Sequence, residues 1–135
     1  MIAGASTAGT VIDAQGTTPR LLLVGSGATV MIRDLTLQGG VEPNDDGGGI
    51  DNLGTLTLDH VSVNGNQTGP IGGFPLGLPP GVKDSLPGGG IYNSGTLNLA
   101  SSVISGNSTR SGHPGLGNSC LKVAPRALTA ASLSP

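Results

Sequence analysis

Asp45 and Asp46 are adjacent and Asp51 follows, where Asn44-Asp45-Asp46-Gly47-Gly48-Gly49 runs into an apolar position at Ile50. Calcium takes roughly six to eight oxygen ligands, and three carboxylates on a loop entering a strand can begin such a set. These three aspartates are therefore the candidate metal ligands, with calcium as the ion. A solvated acidic turn explains the same residues and is preferred. Calcium-binding repeats carry their acid in every copy, whereas the residue equivalent to Asp51 one repeat later is Tyr92.

Other reactive side chains are more isolated. His60 and His113 have no His or Cys at zinc-ligand spacing. Ser26, within Gly25-Ser26-Gly27, lacks a partner base and reads as a turn residue. Cys120 is the only cysteine, which excludes an internal disulfide framework, and reads as a small core or turn residue rather than a nucleophile. The glycine triplets 47–49 and 88–90 are not followed by Lys-Ser/Thr and open no helical pattern, so they are not phosphate loops. The sequons Asn66-Gln67-Thr68 and Asn107-Ser108-Thr109 recur because the surrounding sequence recurs, and they read as unglycosylated. A last candidate is apolar. Residues 69–87 carry Phe74, Leu76 and Leu78 among five prolines. This loop either lies back on the body of the protein or presents Phe74, Leu76 and Leu78 as a binding surface; proline lowers the entropy lost when such a loop is held.

Short strands must position all of these groups. The chain has 135 residues, of which 25 are glycine and 10% are charged, with Phe74 and Tyr92 its only Phe, Tyr or Trp. Its net charge of −2 offers no cationic field for nucleic acid. No apolar run approaches the ~20 residues of a membrane-spanning helix, so no membrane insertion is expected. Leu, Val and Ile alternate with small polar residues, as in Thr55-Leu56-Thr57-Leu58 and Thr96-Leu97-Asn98-Leu99, a period-two pattern that predicts strands with one buried face.

Those strands repeat. Residues 47–68 and 88–109 agree without a gap at 12 of 22 positions. Residues 26–40 fit the same frame if Ala28 is an insertion, and residues 115–123 form a degraded copy with Leu116 at the Ile91 place and Asn118 at the Asn93 place. A unit this short cannot bury its own apolar face, so copies must stack. Stacking predicts inward columns through Val30, Leu56, Leu97 and, with one residue deleted, Leu121; Ile32, Leu58, Leu99 and, likewise, Val123; Leu37, Val63 and Ile104; and Leu23, Ile50 and Ile91. It predicts a structural asparagine ladder of Asn52, Asn93 and Asn118, and it places Arg33 over Asp59. Three strands per turn with glycine and asparagine at the corners describe a single-stranded parallel β-helix: an all-β solenoid of about three to four coils, near 21–40, 47–66, 88–107 and 115–123. The domain spans 1–123 with the inserted loop at 69–87, and an irregular tail is expected over 124–135.

The motifs GGGIDN-G-TLTL and GGGIYNSGTLNL, closed by Val63–Asn66 and Ile104–Asn107, resemble right-handed parallel β-helix repeat proteins of bacterial surfaces. They are similar to the repeats of polymorphic outer-membrane proteins and of pectate-lyase-like proteins. The first of these carry Phe-x-x-Asn where this chain has Val or Ile. The resemblance implies the right hand and an extracellular or cell-surface location for the parent protein. It also implies a non-catalytic role as a structural, adhesin-like or stalk domain. Its alternative implication is a fragment of a carbohydrate-binding or polysaccharide-degrading β-helix, whose lyase members use acidic calcium ligands beside an Arg or Lys base. Arg33 is the nearest base here, and the repeat frame commits it to Asp59. The expected partners are extracellular polysaccharide, a host or cell-surface protein, or further coils of a longer parent chain. Met1-Ile2-Ala3-Gly4 does not open as a signal peptide does, and the first strand-like segment follows at once, so a fragment is expected.

Overall fold

The computed structural model describes residues 1–17, 20–69, 86 and 88–109, and the backbone of three short strands beyond them. The strands are β1 (Ile2–Ala3), β2 (Val11–Asp13), β3 (Leu22–Val24), β4 (Thr29–Gln38), β5 (Val41–Glu42), β6 (Ile50–Asn52), β7 (Thr55–Asn64), β8 (Gln67–Thr68), β9 (Ile91–Asn93), β10 (Thr96–Ala100), β11 (Val103–Ser105), β12 (Ser108–Thr109), β13 (Leu121–Val123), β14 (Leu128–Thr129) and β15 (Ser132–Leu133). No helix occurs among the described residues, and the fold is all-β.

Three sheets result, and the strand pairings among the described residues are all parallel. The largest runs β1-β4-β7-β10-β14, with β2 on β4, β11 on β7 and β15 on β11. The second runs β13-β9-β6-β3 and the third β12-β8-β5. Each repeat thus gives one segment to the second sheet, then the first, then the third.

The pairing joins equivalent letters of successive copies. Val30, Ile32, Leu35 and Leu37 pair with Leu56, Leu58, Val61 and Val63. Leu56 and Leu58 pair in turn with Leu97 and Leu99, and Val63 with Ile104. The inward side chains of the first and second sheets share one core, in which Ile50, Leu56, Leu58, Val63, Ile91, Leu97 and Ile104 are all fully buried. Burying one such side chain stabilises the fold by about 1.5–3 kcal/mol, which is how a chain with so few aromatics holds together.

The structure corrects three expectations. Leu22, not Leu23, pairs with Ile50, and Leu23 is 57% exposed. Leu22-Leu23-Val24 offers two adjacent leucines, and a one-residue slip exchanges the faces of the strand. At the other end Leu121 pairs with Ile91 and Val123 with Asn93, so these two residues do not continue the Leu97 and Leu99 columns, and Val123 rather than Asn118 holds the asparagine position. Leu121-Lys122-Val123 is a better strand former than the Pro114-Gly115-Leu116-Gly117 stretch before it. The tail is not wholly irregular either. Leu128 pairs with Leu97 and Leu133 with Ile104, extending the first sheet. Free backbone groups along β10 and β11 accept a strand of almost any sequence, so this pairing needed no repeat motif.

Candidate functional site

The acidic segment meets a cation from an unexpected place. Arg20, on the approach to β3, lies beside three carboxylates. One guanidinium nitrogen is bound to Asp51 Oδ2, while the other lies 3.0 Å from Asp45 Oδ2 and 3.5 Å from Glu42 Oε2. The repeat positions these groups. Asp51 is the middle residue of β6, Glu42 ends β5, and Asp45 lies in the turn that joins the two strands. The Arg20 side chain is only 14% exposed and that of Asp51 11%, whereas Asp45 is 53% exposed, so the network runs from a buried end at Asp51 out to a solvated turn at Asp45. A metal ion shared by Asp45 and Asp51 would compete with that guanidinium. Sequence reasoning passed over Arg20 because it lies outside the repeat frame, 31 residues from Asp51.

Burial dominates the electrostatics of Asp51. Desolvation pushes its carboxyl above the ordinary aspartate value, aided by the nearby charges of Asp45 and Asp46, and Arg20 only partly offsets this. Its Oδ1 is buried without a hydrogen-bond partner among the described residues. A carboxyl whose pKa is raised on folding binds its proton more tightly when folded. Its stabilising contribution is complete below the unfolded value of about 3.9 and is lost as pH rises through the folded value. Asp51→Asn removes that titration. The urea midpoint of the variant should therefore rise relative to wild type between acid and neutral pH. Parallel midpoint curves for the two proteins would contradict this assignment.

Asn52 and Asn93 are fully buried and pair in register. Asn52 Nδ2 donates to Asn93 Oδ1 and to the Thr96 carbonyl, and Asn52 Oδ1 accepts from Gly54 N at 3.2 Å. Val24 bounds the pair on one side. These bonds commit both buried amides to the backbone and side chains of their own and neighbouring copies.

A second asparagine ladder escaped the sequence reading. Asn66 Oδ1 accepts from Gly40 N at 2.8 Å, and Asn107 Oδ1 accepts from Asn66 N and Nδ2 at 2.9 and 3.0 Å. The two Nδ2 groups also donate to the Leu37 and Val63 carbonyls. The available signal was the recurrence of Gly65-Asn66 as Gly106-Asn107. Both sequon asparagines are thereby buried and committed within the fold.

The remaining sequence candidates are distributed as follows. Phe74, Leu76, Leu78, His113, Asn118 and Cys120 lie outside the described residues. From the inserted loop, Leu86 is described; it is 2% exposed, and its carbonyl accepts from Thr68 Oγ1 at 2.6 Å. That end of the loop therefore lies against the body of the protein. Arg33 stands in register with Asp59, but its Nε donates to Asp34 at 2.8 Å. Ser26 lies in the turn between β3 and β4. No group of three or more His, Cys, Asp or Glu side chains is arranged to hold a metal among the described residues. No helix among them is long and apolar enough to cross a membrane.

No family model, curated protein or solved structure matches this chain.

Proposed function

We propose that this chain is a non-catalytic structural segment of an exported, adhesin-like or stalk protein, built as a single-stranded right-handed parallel β-helix of three to four coils. The observation that carries the proposal is the register. Copy after copy pairs in parallel on its own equivalent residues, through Thr29–Gln38, Thr55–Asn64 and Thr96–Ala100. Such a ribbon spends its polar side chains on holding neighbouring copies together, as both asparagine ladders do. It acts by length and stiffness, and it can be extended by adding copies. The right hand and the surface location rest on the resemblance of the GGGI…TLTL repeat to bacterial surface proteins.

Two measurements test this. Protease treatment of intact source cells should remove the signal of an antiserum raised against the purified chain; survival of that signal together with an intact cell envelope would overturn the surface assignment. Purified protein should leave polygalacturonate uncut with or without calcium, and calcium-dependent cleavage would overturn the non-catalytic one.

A further inference from the structure

One corner of the fold differs between the first layer and the rest. The long strands β4 and β7 turn at single residues, Asp34 and His60, and Ser101 marks the same corner between β10 and β11. All three have left-handed backbones, with φ of 56°, 52° and 47°. A non-glycine residue in that conformation costs on the order of 1–2 kcal/mol, and glycine would carry it freely. In the first layer the same corner, between β1 and β2, is widened to residues 4–10.

That wider loop is ordered and overhangs the column. Thr36 Oγ1 donates to the Thr7 carbonyl at 2.8 Å, Ala5 N donates to Thr10 Oγ1, and Thr10 N donates to the Ser6 carbonyl. Beneath it lies an open concavity of about 510 Å³, within the range of small-molecule sites. Ser6 and Thr7 of the loop and Asp34, His60 and Ser101 of the corner line it, with Val61 and Val103 as its apolar part. Widened loops on a repeat protein commonly mark a binding face.

The wall chemistry selects the ligand. Asp34 is the only Asp, Glu, Lys or Arg on it among the described residues. Arg33 Nε lies 2.8 Å from Asp34 Oδ2, and Asp59 adds a second carboxylate beside the corner. His60 Nδ1 lies 2.7 Å from Asp59 Oδ1. A carboxylate can only accept, so Nδ1 carries a proton in this pair and Nε2 is the ring's remaining polar atom. The Ser62 hydroxyl accepts from Asn64 Nδ2, and its proton is free to donate. The wall thus offers a carboxylate, an imidazole and several hydroxyls, and no Lys or Arg side chain among the described residues. It suits a compound rich in N–H and O–H donors and repels an anion.

We propose that this corner concavity binds a hydroxylated primary amine, an amino sugar of one or two units. The site lies beyond the structural role proposed above and does not depend on it.

Amide shifts of the full chain, followed by NMR during titration, test the site. The probes are glucosamine, N-acetylglucosamine and galacturonate at matched pH and ionic strength. Glucosamine should give saturable shifts at Ser6, His60 and Ser101. N-acetylglucosamine should bind about tenfold more weakly, a difference of about 1.4 kcal/mol, and galacturonate should not bind. His60→Gly separates binding from folding, because it relieves a left-handed backbone while removing the imidazole from the wall. This variant should unfold at a higher temperature than wild type and bind glucosamine about tenfold more weakly. Asp34→Asn, which tolerates the same backbone, should abolish the preference for the amine over its acetylated form. Absence of saturable shifts with glucosamine, equal binding of galacturonate, or unchanged glucosamine affinity in His60→Gly would each overturn the proposal.

Discussion

Gly48→Ala is expected to destabilise the fold by about 3–4 kcal/mol, a large part of the ~5–15 kcal/mol available to a small domain. The reason is the distance between successive copies. A Cβ built on Gly48 would lie 2.2 Å from the Gln67 carbonyl oxygen and 2.6 Å from that of Gly89. Both obstacles are backbone, so no side chain can swing aside. Gly48 N also donates to the Gly88 carbonyl at 3.1 Å, which ties the crowded segment to the next copy. Relief would require the 47–49 segment to move away from both Gln67 and the 88–90 segment, at the expense of its hydrogen bonds to 88–90. Urea unfolding followed by circular dichroism reads the effect. Gly25→Ala is the control, because a Cβ there meets nothing within 4 Å, and it should be neutral or slightly stabilising. Equal midpoints for the two variants would show that the glycine triplet is not a close-packing device.

Asn66→Ala should cost about 3 kcal/mol. Asn66 is completely buried, and truncation leaves Gly40 N, the Leu37 carbonyl and one lone pair of Asn107 Oδ1 without their partner. Each buried polar group stranded in this way costs roughly 1–3 kcal/mol, and partial relaxation keeps the sum below the simple total. A double-mutant cycle with Asn107→Ala measures the ladder itself. The two asparagines are in direct contact, so the double variant should lose less than the sum of the singles, by on the order of 1 kcal/mol. Strict additivity would mean that each amide serves only its own turn.

Much of the main sheet was legible from the letters. Val30, Leu56 and Leu97 form one paired column, as their alternation and the repeat spacing predict. The first asparagine pair was legible for the same reason, because Asn52 and Asn93 hold one place in two copies. The failures fall where the repeat is broken or where two choices are locally equal. Leu22 and Leu23 differ only in which of them faces inward, and that depends on Ile50 in another copy. Leu121, Leu128 and Leu133 join the sheets from a stretch without glycine triplets or asparagine, because an open strand edge asks for backbone groups and little else. Asn66 and Asn107 were visible as a repeated Gly-Asn but not as a ladder, since nothing local says whether an amide faces inward.

The sequence by itself determined the all-β character, the copies and the letters that lie over one another, because periodic burial and repetition are properties of the chain read in order. Only the tertiary structure decided that Arg20 stands among Glu42, Asp45 and Asp51, and that residues 4–10 overhang Asp34, His60 and Ser101. Both arrangements join segments that lie outside the repeat to segments within it. Spacing along the chain carries no information about such meetings; the stacking of one layer on the next brings them together in space.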